Sequence, residues 1–133
     1  MTEQNIEFAC AINCIDGRTM DPVSNYLKKH FRNIQYIDTV TKPGVNKVLA
    51  EGIRTYSIED IQHEVGLSVN AHNTQVVAIS AHPYCLGNPS DKKVQIEHLR
   101  LAYNTVKSFG FAVKIILLWV NDDWKTVEVI PMI

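Results

Sequence analysis

Two short segments of the sequence carry thiol, imidazole, carboxylate and guanidinium groups at close spacing. The first reads CIDGR over residues 14–18, and the second reads HPYC over residues 82–85. A His-x-x-Cys spacing is short enough to chelate one ion, and a third ligand from a neighbouring strand would complete a set of two thiolates and one imidazole. Such a set favours zinc and leaves one tetrahedral position for a water molecule, whose pKa then falls towards ~7. We therefore predict a zinc centre formed by Cys14, His82 and Cys85.

The remaining cysteine, Cys10, is expected to be a core residue. If the first strand continues through Cys14, the two residues lie ~13 Å apart at a rise of ~3.3 Å per residue. Two sulfur ligands of one tetrahedral zinc are only about 4 Å apart, because each Zn–S bond is about 2.3 Å long. Nothing in the sequence suggests secretion, so all three cysteines are predicted to be reduced thiols.

Asp16 and Arg18 have two interpretations. They can form an ordinary surface ion pair, which contributes little to stability. Beside a metal, the guanidinium can instead hold the carboxylate in a bidentate fork, which keeps it ionised and off the ion. The carboxylate is then free to accept a hydrogen bond from the bound hydroxide. The two residues alone leave both roles open, and the resemblance described below favours the second, as a catalytic dyad.

Alternating apolar and polar segments predict an α/β fold that positions these residues. Strands are predicted at 6–13, 34–40, 75–81 and 111–120, and clean alternation predicts an antiparallel edge strand at 124–130. Helices are predicted over 22–32 with Asp21 as the N-cap, around Val48 and Leu49, from Ser57 onwards, and from about Ser90 to Gly110. Both motifs directly follow predicted parallel strands, whose carboxyl ends share one edge of the sheet. The N-terminus of the helix near Ser90 is expected to stabilise a thiolate at Cys85.

The composition restricts the class of protein. With 133 residues, 46% apolar residues and a net charge of −1, the chain is predicted to be a single domain over 1–133. Near-neutral charge argues against nucleic acid or an anionic membrane as the main partner. No apolar stretch approaches the ~18 residues of a membrane span. The opening MTEQNIEF has no basic segment typical of a signal peptide, so we expect a cytoplasmic protein.

The two motifs together resemble the signature of the β-class carbonic anhydrases, which use Cys-x-Asp-x-Arg and His-x-x-Cys. The resemblance covers most of the chain in order, including a glycine-containing loop after the second strand, here Pro43-Gly44. It implies a mostly parallel sheet of strand order 2-1-3-4, with the antiparallel strand 5 added at the edge and helices on both faces. It also implies Zn²⁺ at Cys14, His82 and Cys85, and a homodimer or higher homo-oligomer. Leu86-Gly87 departs from the family, in which a glycine usually follows the second cysteine directly.

The function implied by the resemblance is that of a zinc lyase that hydrates carbon dioxide reversibly to bicarbonate, so the expected partner is a small-molecule substrate. In this scheme the dyad of Asp16 and Arg18 gates the fourth zinc position. Two alternatives stay open: a zinc hydrolase of carbonyl sulfide or carbon disulfide, and a catalytically silent zinc protein that binds a small anion. Trp119 and Trp124 flank the last predicted hairpin and are expected in the core or in a subunit contact.

Overall fold

A five-stranded sheet forms the centre of the computed structural model, which describes residues 7–133. The strands lie in the order β2-β1-β3-β4-β5. The first four pair in parallel, and β5 pairs antiparallel with β4 at one edge. The strands are β1 (Glu7–Asn13), β2 (Ile34–Thr41), β3 (Val76–Ala81), β4 (Lys114–Val120) and β5 (Val127–Val129). The predicted fold class and strand order are confirmed.

Helices cover both faces of this sheet, as its continuously buried inner strands require. They are α1 (Met20–His30), α2 (Val45–Ala50), α3 (Tyr56–His72) and α4 (Lys92–Lys107), and a 3₁₀ turn (Gly17–Thr19) precedes α1. Alternate residues of β1 point to opposite faces: Ala9 and Ala11 pack in a core with α1, whereas Cys10 and Ile12 pack with α2, α3 and α4. Within residues 7–133, no helix is long and apolar enough to cross a membrane.

Several predicted boundaries are wrong, each for a local reason. Helix α1 begins at Met20 rather than at 22, because the 3₁₀ turn leads directly into it and Thr19 precedes its first turn. Strand β4 begins at Lys114 rather than at 111, because the Val113 N–H donates to the carbonyl of Phe111 and closes a tight turn. Position 6, predicted to be in β1, lies outside the described residues.

The last strand is shorter than predicted. Strand β5 covers Val127–Val129, and residues 124–126 belong to the connection from β4. The carboxylate of Asp123 accepts hydrogen bonds from the backbone N–H groups of Lys125 and Thr126 and from the Thr126 hydroxyl. These bonds use the backbone donors that a longer ladder would need, so strand pairing starts only at Val127.

Candidate metal centre

Three buried ligand-type side chains meet where β1 and β3 end. Cys14 follows the last residue of β1, and His82 follows the last residue of β3, which pairs in parallel with β1. The sulfur atoms of Cys14 and Cys85 lie 3.8 Å apart. These sulfurs and a ring nitrogen of His82 all lie within 4.8 Å of one another, so the group could hold a metal ion. The predicted convergence is thus present, and the role of each residue as a ligand stays a prediction.

The imidazole of His82 has a free nitrogen. Its Nδ1 lies 2.8 Å from the carbonyl oxygen of Pro83, which can only accept, so Nδ1 carries the proton. Its Nε2 is buried and has no hydrogen-bond partner in the part of the chain that the structure describes. Leaving a buried acceptor unpaired costs about 1–3 kcal/mol, whereas a metal ion would use this lone pair. Two thiols and a neutral imidazole are a donor set that fits zinc.

Backbone amides surround the two thiols. The Gly44 N–H donates to Cys14 Sγ across 3.4 Å. Burial and the neighbouring Cys14 raise the pKa of the Cys85 thiol, while hydrogen bonds from the N–H groups of Asn88 and Gly87 oppose this rise. Helix α4 begins at Lys92 with Asp91 as its N-cap, close to the predicted start near Ser90, and its stabilisation of a Cys85 thiolate stays a prediction. The loop amides add to it, and a divalent cation would offset the repulsion between two thiolates.

Two glycines allow the loops that carry these amides to touch. A Cβ on Gly44 would lie 2.5 Å from the carbonyl carbon of Gly87, and a Cβ on Gly87 would lie 2.5 Å from the Gly44 nitrogen. Gly44 also has a φ of +55°, in the left-handed region that favours glycine. The sequence analysis noticed both glycines but missed that they touch each other, which only the three-dimensional loops determine.

Asp16 and Arg18 form the predicted bidentate fork. Arg18 Nε donates to Asp16 Oδ1 at 3.1 Å, and Nη2 donates to Oδ2 at 2.8 Å. The Arg18 backbone N–H adds a third bond, at 3.0 Å to Oδ1. The side-chain hydrogen bonds from Arg18 are the main cause that lowers the pKa of Asp16 to about 2. Asp16 Oδ2 lies 3.9 Å from His82 Nδ1, yet Asp16 is not a member of the ligand group.

A buried amide network supports the backbone of the second motif. Gln95 Nε2 donates to the carbonyl oxygens of His82 at 2.9 Å and Ser90 at 3.2 Å. Asn46 Nδ2 donates to Gln95 Oε1 at 3.4 Å, and Asn88 Nδ2 donates to Asn46 Oδ1 at 3.3 Å. The sequence analysis missed this network. A signal existed, because Gln95 is a polar residue on the face of α4 that also buries Leu99, Ala102 and Val106.

Trp124 has contacts at the site that the sequence did not predict. Its indole lies against the guanidinium of Arg18, whose central carbon is 3.9 Å from the ring centroid. Its ring centroid is also 5.9 Å from that of His82. The side chain is half-buried and packs on the core under α1. It therefore contacts residues of both motifs, while Trp119 is buried in the core as expected.

The fold is similar to that of two solved β-carbonic anhydrases. Isoform I from the protozoan Trichomonas vaginalis has 15% identity and a TM-score of 0.63, over 91% of this chain and 81% of that chain. CafA from the fungal pathogen Aspergillus fumigatus has 13% identity and a TM-score of 0.54, over 97% of this chain and 77% of that chain. At these identities the likeness establishes the fold, so the class is an α/β protein of β-carbonic anhydrase architecture.

The sequence also matches a protein family directly. The family described as "Putative carbonic anhydrase" matches residues 4–130. The chain therefore belongs to this carbonic anhydrase family, as a divergent member, and the resemblance noted from the two motifs is confirmed. No curated protein has a sequence that matches this chain.

Proposed function

We propose that this protein is a zinc-dependent carbonic anhydrase that converts carbon dioxide and water reversibly into bicarbonate. The observation that carries the proposal is the buried group of Cys14, His82 and Cys85, in which His82 Nε2 has no other partner among the described residues. Membership of the carbonic anhydrase family supports the same activity and a small-molecule substrate. The fork of Asp16 and Arg18 beside this group adds an ionised carboxylate that can accept a hydrogen bond from a coordinated water.

Each residue of the group has a defined part in this proposal. Cys14 and Cys85 as thiolates and His82 as a neutral imidazole would hold the zinc ion. When bound, zinc supplies a nucleophile at neutral pH, because it lowers the pKa of coordinated water to about 7. The hydrogen bond from His82 Nδ1 to the Pro83 carbonyl fixes the tautomer that leaves Nε2 free. The Gly44 N–H stabilises the Cys14 thiolate.

Asp16 and Arg18 orient the reacting water. A pKa of about 2 keeps Asp16 ionised at neutral pH, so it acts as a hydrogen-bond acceptor for that water. The fork from Arg18 fixes the plane of the carboxylate and keeps it outside the ligand group. The lone pair that points away from the fork stays available to the substrate.

Stopped-flow measurement of carbon dioxide hydration by the zinc-loaded protein, from pH 6 to 9, tests this proposal. We expect saturable hydration in the wild type, and a loss of about 10²-fold or more in kcat for Asp16→Asn with zinc retained. Stoichiometric zinc without hydration contradicts the proposal. In that case, sulfide released from carbonyl sulfide or carbon disulfide identifies a hydrolase, and its absence identifies a silent zinc protein.

The homodimer implied by the resemblance is part of the same proposal. Three apolar side chains on the two motif loops are exposed in the single chain: Ile15 at 62%, Tyr84 at 74% and Leu86 at 98%. Apolar side chains clustered around a site support a subunit contact there. Sedimentation equilibrium is expected to give a dimer mass, and a monomer at all concentrations contradicts this part of the proposal.

A further inference from the structure

Trp124 is held in a conformation that a bulky side chain rarely adopts. Its φ is 57°, in the left-handed region, although the residue is neither glycine nor asparagine. A strained backbone conformation persists only where the surrounding structure holds it in place, and such residues are concentrated at functional sites. Hydrogen bonds in the connection from β4 to β5 hold Trp124 in this conformation. The Trp124 N–H donates to the Asn121 carbonyl, and the Asn121 N–H donates to the Thr126 carbonyl.

This strained turn places the indole face on Arg18. The distance of 3.9 Å from the guanidinium carbon to the ring centroid is that of a stacked cation–π contact. Arg18 otherwise has few restraints, because half of its side chain is exposed. On its far edge, the same guanidinium makes the two hydrogen bonds of the fork with Asp16. The indole thus contacts one face of the guanidinium, while the carboxylate of Asp16 binds its edge.

We propose that Trp124 is a positioning residue, whose indole holds the Arg18 guanidinium in the plane that clamps Asp16 beside the Cys14, His82 and Cys85 group. This inference rests on the proposed function. Without the indole, the exposed arginine samples other rotamers and exchanges its bonds to Asp16 for bonds to water. The carboxylate is then oriented for only part of the time, which lowers kcat more than it changes KM.

A merely structural role for Trp124 has to be distinguished, because the side chain also packs on the core under α1. The suitable readout is the order parameter of the Arg18 Nε–H bond, measured by nitrogen-15 relaxation in the purified zinc-loaded protein. It reports the rigidity of the guanidinium itself. In the wild type we expect about 0.8 or higher, well above the exposed arginines. A wild-type value below about 0.6 overturns the proposal without any variant.

Two substitutions of Trp124, with one control substitution of Trp119, test the proposal further. Trp124→Leu is expected to lower the Arg18 order parameter below about 0.6 and to lower kcat about 10-fold. Trp124→Phe keeps an aromatic face and should restore both values to within about twofold of the wild type. Trp119→Phe removes a buried indole elsewhere and should leave the Arg18 order parameter unchanged.

Two results would overturn the proposal. One is an Arg18 side chain that stays rigid in folded Trp124→Leu. The other is a kcat within twofold of the wild type in a variant whose order parameter has fallen. A wild type that does not hydrate carbon dioxide counts against the proposed function instead, and the order parameter still decides whether Trp124 holds Arg18.

Discussion

Cys10 lies in the middle of β1 and Cys14 directly follows its last residue, and the two side chains have different environments. Cys10 is fully buried in the apolar core with α2, α3 and α4. Burial is the main cause that raises the pKa of its thiol to about 12, so it stays protonated. Cys14 lies beside a second thiol at 3.8 Å and accepts a bond from the Gly44 N–H. Position along the strand, and not residue type, separates a packing residue from a proposed ligand.

The difference arises from what surrounds each end of the strand. In the sheet interior, parallel neighbours satisfy the backbone, and Cys10 packs mainly among apolar side chains. At the carboxyl end the strands stop, and two loops bring the N–H groups of Gly44, Gly87 and Asn88 to the two thiols. Such an edge can stabilise anions and cations together, which is why ligands bind there in open α/β sheets.

The largest expected effect separates the two cysteines directly. Cys14→Ser removes a ligand and should abolish stoichiometric zinc binding and carbon dioxide hydration. Cys10→Ser places a hydroxyl in the core and should lower the free energy of unfolding by about 1–3 kcal/mol with zinc retained. Zinc content by atomic emission and urea unfolding check both variants. Loss of zinc in Cys10→Ser, or full retention of zinc in Cys14→Ser, would contradict the distinction between the two cysteines.

The next effect concerns the contact between loops at the strand end. Gly87→Ala would put a Cβ 2.6 Å from the Pro43 carbonyl carbon, so the loops have to separate. We expect about 1–3 kcal/mol less stability and weaker zinc binding, because the Gly44 N–H moves away from Cys14. Gly17→Ala is the matched control, since its Cβ would meet nothing within 4 Å. Equal unfolding midpoints for the two variants would argue against a close loop contact.

A smaller effect is expected behind the site. Gln95→Leu removes the donor to the His82 carbonyl, leaves that buried oxygen unpaired, and should weaken zinc binding about 10-fold. Competition with a chromogenic chelator measures the affinity. Gln75→Leu alters an exposed glutamine and should bind zinc as the wild type does. If the two variants bind zinc equally tightly, the network does not support His82.

The smallest effect concerns the titration of Asp16 in the metal-free protein. Its pKa of about 2 should rise towards the ordinary ~3.9 in Arg18→Gln, because the fork that favours the ionised form is lost. A lowered carboxyl pKa contributes stability that is fully present above ~3.9 and is lost as the pH falls towards about 2. The carbon-13 shift of the carboxyl follows this titration. An Asp16 that titrates near pH 4 in the wild type would contradict the fork.

The sequence was sufficient to predict the parts that depend on short spacing and strand order. Cys14 and His82 each follow a run of strand-forming residues, so parallel pairing of β1 with β3 makes them neighbours. The burial of Cys10 followed from strand geometry alone. The rise of a strand and the rule that parallel strands end at one edge predict the burial of Cys10 and the shared edge. The resemblance to the β-class carbonic anhydrases supplied the strand order that makes β1 and β3 neighbours.

The parts that the sequence could not predict depend on long-range packing. No residue near Trp124 in the sequence indicates that its indole reaches Arg18. The contact depends on the turn in which the Asp123 carboxylate accepts from the Lys125 N–H and Trp124 has a positive φ. The contact between Gly44 and Gly87 likewise depends on how two separate loops cross. The length of β5 was predicted wrongly because residues 124–126 alternate as a strand does. Hydrogen bonds that the Asp123 carboxylate accepts hold these residues in a turn instead.

X-ray absorption at the zinc edge of the zinc-loaded protein tests the central claim most directly. With Cys14, Cys85 and His82 as ligands, the spectrum should fit two sulfur atoms at about 2.3 Å and one imidazole nitrogen at about 2.0 Å, with a light atom completing four-coordination. A first shell without sulfur or with three sulfur atoms would contradict the account. Loss of all zinc on dialysis would also contradict it.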